Sequence, residues 1–120
     1  PPVKIVWNHI GWDNTGERTA SLSGELLDRH DNLYLSIKTS LKAGSGSNLI
    51  LDSEGDVEAE WAGLFSQYPD RIFVGSDCKF GSNQGEYDAY LEMFDFLITL
   101  SSEIVSPLAR DTAREFLQLE

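Results

Sequence analysis

The stretch RIFVGSDCKFGSNQGEY, Arg71–Tyr87, decides how the rest of the chain is read. Ile72, Phe73 and Val74 form a short apolar run of the kind that makes a buried strand. The run passes through Gly75 and Ser76 to a carboxylate, Asp77, and then into a loop of Gly, Ser, Asn and Gln. An aspartate at the end of a strand is common in turns, because its side chain bonds the nearby backbone. Whether Asp77 is more than that depends on what the other strands bring beside it.

Working outward, VKIVWN (Val3–Asn8) reads as a first strand with His9, Ile10, Gly11 and Trp12 at its carboxyl end, and LYLSIK (Leu33–Lys38) as a second. Leu33, Leu35 and Ile37 alternate there with Tyr34, Ser36 and Lys38. Between them the spacing predicts a helix over Glu17–Arg29, with Ala20, Leu22, Leu26 and Leu27 on its apolar face. Val57–Gln67 reads as a second helix, carrying Trp61, Leu64 and Phe65 at i, i+3 and i+4 and stopped by Tyr68-Pro69, since proline disfavours helix at the residue before it. DSEGD (Asp52–Asp56) turns the chain ahead of it. A longer helix follows over Glu86–Leu100, with Tyr90, Leu91, Phe94, Leu97 and Ile98 on one face. A further helical stretch opens at Ser101 or Ser102 with Glu103 at its positive end. Pro107 interrupts it, and Leu108–Leu119 closes the chain as helix. Strands alternating with helices point to parallel βαβ units, an α/β fold in one domain spanning residues 1–120.

Composition narrows the partners. Nine Lys and Arg stand against 20 Asp and Glu, a formal net charge of -11, and such a field repels phosphate backbones and anionic lipid, so neither nucleic acid nor membrane is expected as a partner. No apolar run approaches the roughly 20 residues of a membrane-spanning helix. The single cysteine, Cys78, permits no intrachain disulfide and suits a reducing, cytoplasmic setting. The first strand starts almost at residue 1, as in a chain entered in mid-domain.

Parallel strands gather their carboxyl ends on one rim, where α/β folds and barrels build their sites. Here that rim receives Asn8 and His9 from the first strand, Ser36 and Lys38 from the second, and Ser76 and Asp77 from the third. A histidine and an aspartate so gathered can bind a divalent cation or deprotonate a water. Two ligands are fewer than the three a catalytic zinc site uses, so the 120 residues alone are not expected to catalyse. The other histidine, His30, falls at the far end of the first helix, where it reads as a C-terminal cation or cap contact.

Four segments, VKIVWNHIGW, NLYLSIK, WAGLFSQYPDRIFVGSD and LSSEIVSPLARDTAREFL, resemble in order and spacing the carboxyl-terminal part of the amidohydrolase-related family of metal-dependent hydrolases. The most specific piece is Pro-Asp-Arg, three apolar residues, Gly, Ser and Asp. The resemblance implies a (β/α)8 barrel, of which this chain supplies the last three or so strands; a whole barrel takes about 250 residues. It implies hydrolysis or decarboxylation of a small carboxylate-bearing substrate with a divalent metal, zinc or manganese. Asp77 matches the acid at the end of the eighth strand, which touches the metal and takes a proton from the attacking water. His9 matches a metal or substrate-polarising histidine at the end of the fifth or sixth strand; the sixth is favoured, because NLYLSIK then falls on the seventh. The family's His-x-His pair from its first strand has no counterpart here, and Thr112-Ala113 stands where the family shows Asn-Ala.

A second reading stays open beside the first: a non-catalytic α/β module kept for binding or assembly. A partial barrel also leaves strand edges unpaired along Val3–Trp7 and Ile72–Val74, which predicts association through those edges, with another copy or with a missing half. Trp7 and Trp61 read as core, and Trp12 as a rim residue able to line a pocket. Cys78 has no histidine placed to activate it, and the Gly-Ser loop at 44–48 lacks the features of a phosphate-binding loop.

Overall fold

Three parallel strands form the sheet of the computed structural model, which describes residues 3–13, 15–38, 50–76 and 86–120. β2 (Leu33–Lys38) lies at the centre, between β1 (Ile5–Ile10) and β3 (Ile72–Gly75). The α/β reading and the parallel order are as expected; a closed barrel is not seen in these three strands. Ile5 pairs with Leu33 and Trp7 with Leu35, while Leu35 pairs with Ile72 and Lys38 with Gly75, so the three strands end nearly level.

Alternation along β2 sets the two faces of the sheet. Leu33, Leu35 and Ile37 are buried, and Tyr34, Ser36 and Lys38 are half-buried. The buried side packs on α1 (Ala20–Arg29) and α2 (Ala59–Gln67), through Leu27, Trp61, Leu64 and Phe65. α1 starts at Ala20 rather than Glu17 because Thr19 is its N-cap: the hydroxyl accepts from the backbone N–H of Leu22 at 3.1 Å. His30 is the C-cap residue, its backbone N–H donating to Leu26. Arg71 ties the strand feet together, donating from Nε to the carbonyl of Leu33 at 2.7 Å and from a terminal nitrogen to the carbonyl of His30. Its guanidinium also stands 5.4 Å from the ring centre of Tyr34.

The turn before α2 matches its sequence. Leu51 and Val57 form an antiparallel bridge, and the Asp52 carboxylate accepts from the backbone N–H groups of Glu54 and Asp56. Tyr68 caps α2 and its hydroxyl donates to the Asp28 carboxylate of α1; this bond raises the tyrosine pKa.

α3 (Glu86–Ile98) departs from expectation in the face it buries. Phe96 and Leu97 are in the core and Met93 packs against it, whereas Tyr90, Leu91, Phe94 and Ile98 are exposed, Phe94 by 59% and Ile98 by 79%. The helix is apolar over more than half its circumference, so periodicity alone does not say which part of that arc meets the core. Phe96 docks edge-on to Phe65 of α2, with ring centres 6.2 Å apart, and this contact selects the observed face.

The closing helix is broken where Pro107 lies. α4 (Ser102–Ser106) passes into a π-helical segment, Pro107–Asp111, and then into α5 (Thr112–Leu117). Proline has no N–H to give to the preceding turn, and the wider π turn absorbs the mismatch. Leu108, in the π segment, is fully buried, and the Thr112 hydroxyl donates to the Pro69 carbonyl at 2.7 Å. Phe116 of α5 reaches the half-buried side of the sheet, packing on Tyr34 and Phe73. The π segment and α5 pack against β3, and β1 and β3 are the two edge strands of the sheet among the described residues.

Candidate functional site

The polar ends of β1, β2 and β3 meet on one rim, and the geometry of β1 makes that rim unusual. Its register against β2 shifts between Trp7 and Ile10, a bulge in the last turn of the strand. At the bulge His9 takes φ 64°, the left-handed region that non-glycine residues seldom occupy, histidine among the more tolerant. Bulges re-aim side chains and recur beside active sites. Here the bulge exposes His9 while Ile10, its neighbour, is fully buried against Ile37.

Gly11 follows at φ 95°, close against Ile50. Trp12 then lies in the rim loop, 36% exposed, with Lys38 Nζ 5.8 Å from its ring centre. The cation and the aromatic ring place an ordered positive charge at the end of β2. Lys38 is level with Gly75 of β3, and Gly75 allows a close approach: a side-chain carbon there would stand 3.1 Å from Ser36 Oγ. Ser76 comes next. Residues 77–85, with Asp77 and Cys78, lie outside the described residues, as do residues 39–49 with their Gly-Ser run.

Asp13 is the rim residue that the sequence reading passed over. It is 2% exposed, and its carboxylate accepts from the Thr15 hydroxyl at 2.7 Å, the Thr15 N–H at 2.7 Å and the Arg18 N–H at 2.9 Å. These bonds, the Thr15 hydroxyl foremost, hold its pKa down to about 2 against the opposing effect of burial. The signal was present in Asp13-x-Thr15, the spacing of a side chain that bonds backbone two residues on. All its contacts are within the loop, so Asp13 braces the segment between the bulge and α1.

The structure thus brings His9, Lys38, Trp12 and Ser36 to the rim onto which β3 runs out towards Asp77. His30 is at the opposite end of α1, away from the rim. Among the described residues no three His, Cys, Asp or Glu side chains converge as metal ligands, and no helix is long and apolar enough to cross a membrane. No family profile, curated protein or solved structure matches the chain.

Proposed function

We propose that this chain is the carboxyl-terminal part of an amidohydrolase-like (β/α)8 barrel, a metal-dependent hydrolase acting on a small carboxylate-bearing substrate by hydrolysis or decarboxylation. The observation that carries the reading is the rim: three parallel strands end level, and a left-handed bulge exposes His9 on the side where β3 leads into Asp77.

An imidazole and a carboxylate are a donor pair that suits zinc or manganese, and His9 and Asp77 would hold the cation together with ligands from outside these 120 residues. Such a cation supplies Lewis-acid and water-activating chemistry. Asp77 takes the proton of the attacking water. Lys38, ordered over Trp12, attracts a substrate carboxylate to the same rim, and Trp12 gives it an apolar wall. The single cysteine suits a cytoplasmic enzyme.

The test is the whole gene product, including whatever is encoded ahead of Pro1. The reading expects a His-x-His strand there. It also expects hydrolysis or decarboxylation that stops on chelation and returns with zinc or manganese. His9→Asn and Asp77→Asn should each cut turnover by about a hundredfold or more with the melting temperature kept. A start codon directly ahead of Pro1, or turnover indifferent to Asp77→Asn, would refute it.

A further inference from the structure

We infer that α5 is a strap, hinged at Thr112 and latched at Phe116, which closes the foot of the sheet on the side carrying Ser36 and Lys38 and opens as a unit while the rest of the fold stays intact. Side chains alternate along a strand, so Tyr34, Ser36 and Lys38 share the side of β2 that faces away from α1 and α2. Phe73 pairs with Ser36 and lies on that side too. The Phe116 ring sits at the foot of this surface, its centre 4.8 Å from that of Tyr34 and 5.8 Å from that of Phe73.

α5 meets the start of each strand in turn. The Thr112 hydroxyl donates to the carbonyl of Pro69, just ahead of β3. Phe116 meets Tyr34 near the start of β2. Lys4, just ahead of β1, donates from Nζ to the Phe116 carbonyl at 3.4 Å and stands 5.2 Å from the ring centre. The hold is uneven along the run. The π segment is fixed: Leu108 is fully buried, and the side chains of Ser106, Arg110 and Asp111 bond one another on the outside. In α5 Thr112 is buried and Phe116 half-buried, whereas Leu117 is 59% exposed. A segment held chiefly by a ring, a lysine and a hydroxyl, next to a firmly anchored one, opens at lower free energy than the sheet. Six residues are also too few to keep helical turns away from the sheet, so lifting and melting are one event. Opening uncovers Tyr34 and Phe73 and gives access, from the foot, to the side of the sheet that runs up to the rim.

The inference rests on this packing and not on the hydrolase reading. Native-state amide exchange of the 120-residue chain tests it. Residues 116–119 should share one common protection, about a hundredfold or more below that of Leu35 in β2, with little dependence on dilute urea. Lys4→Met is remote from α5 in the sequence and removes only the latch; Phe116→Leu keeps an apolar side chain but loses the ring. Each should lower the protection of α5 by about threefold or more. Amides of α5 that exchange only with global unfolding, at the protection and urea dependence of Leu35, would overturn the inference. So would protection that falls residue by residue towards the carboxyl terminus, the pattern of simple fraying, or protection indifferent to both substitutions.

Discussion

Gly11→Ala tests the packing that supports the rim. Gly11 is held at φ 95°, and a residue with a Cβ pays about 1–2 kcal/mol to adopt a left-handed conformation. A methyl group at this position would lie 3.0 Å from Ile50 Cγ1 and closer still to Cδ1. Ile50 is fully buried, so its side chain has little room to rotate away, and overpacking of this kind costs about 1–3 kcal/mol. The two contributions together predict a loss of about 2–5 kcal/mol. At about 4 °C per kcal/mol for this chain length, that is a fall of roughly 8–20 °C in melting temperature. Ile50→Val separates the two causes. By itself it should cost about 1 kcal/mol as a small cavity. In the Gly11→Ala background it removes the carbon nearest the new methyl, so the double variant should be more stable than the sum of the single losses by about 1 kcal/mol. Paired thermal and urea melts of the four proteins measure this. A Gly11→Ala protein melting within about 2 °C of the original would refute the reasoning, and strict additivity would refute the contact with Ile50.

Three further outcomes follow from contacts described above. Asp13 is held below the ordinary aspartate value, so its contribution to stability is full above about pH 3.9 and is lost as pH falls towards about 2; in Asp13→Asn the acid-induced drop in melting temperature across that window should shrink. Arg71→Lys keeps the charge but loses the fork that reaches both Leu33 and His30 carbonyls, and should destabilise by about 1–3 kcal/mol in a urea melt. Phe96→Ala should cost about 3–5 kcal/mol and Phe94→Ala less than about 0.5 kcal/mol, and the reverse order would show that α3 packs by the face its periodicity suggested.

How much of this was legible beforehand depends on what each residue had to decide. β2 could be read to the residue, because Leu33, Leu35 and Ile37 alternate strictly and a slip of one position would turn all three to the wrong side. The apolar triad of α2 was equally plain, since Trp61, Leu64 and Phe65 are its only large apolar residues. α3 was not, because Tyr90, Leu91, Met93, Phe94, Phe96, Leu97 and Ile98 offer two overlapping faces, and the choice is made by Phe65 on another helix. The π segment at Pro107–Asp111 was visible only as a conflict, a proline inside a helical pattern, and not as the form its resolution would take.

For the site the same distinction applies at finer scale. That His9 lies at the end of a strand follows from the apolar run before it; that it is aimed outward follows from a bulge, and nothing in VKIVWNHIGW states a bulge except Gly11 two residues on. Once the bulge is known, its causes can be ordered. Ile10 pairs with Ile37 and is drawn into the core, Gly11 turns at φ 95° against Ile50, and the Asp13 carboxylate fixes the loop through Thr15 and Arg18. With the core holding the residue on one side and the braced loop fixing the chain on the other, His9 is left as the position that absorbs the turn. Its left-handed backbone is therefore a consequence of burying Ile10, and replacement of Ile10 by a polar residue should relax His9 towards an extended conformation more readily than any change at His9 itself.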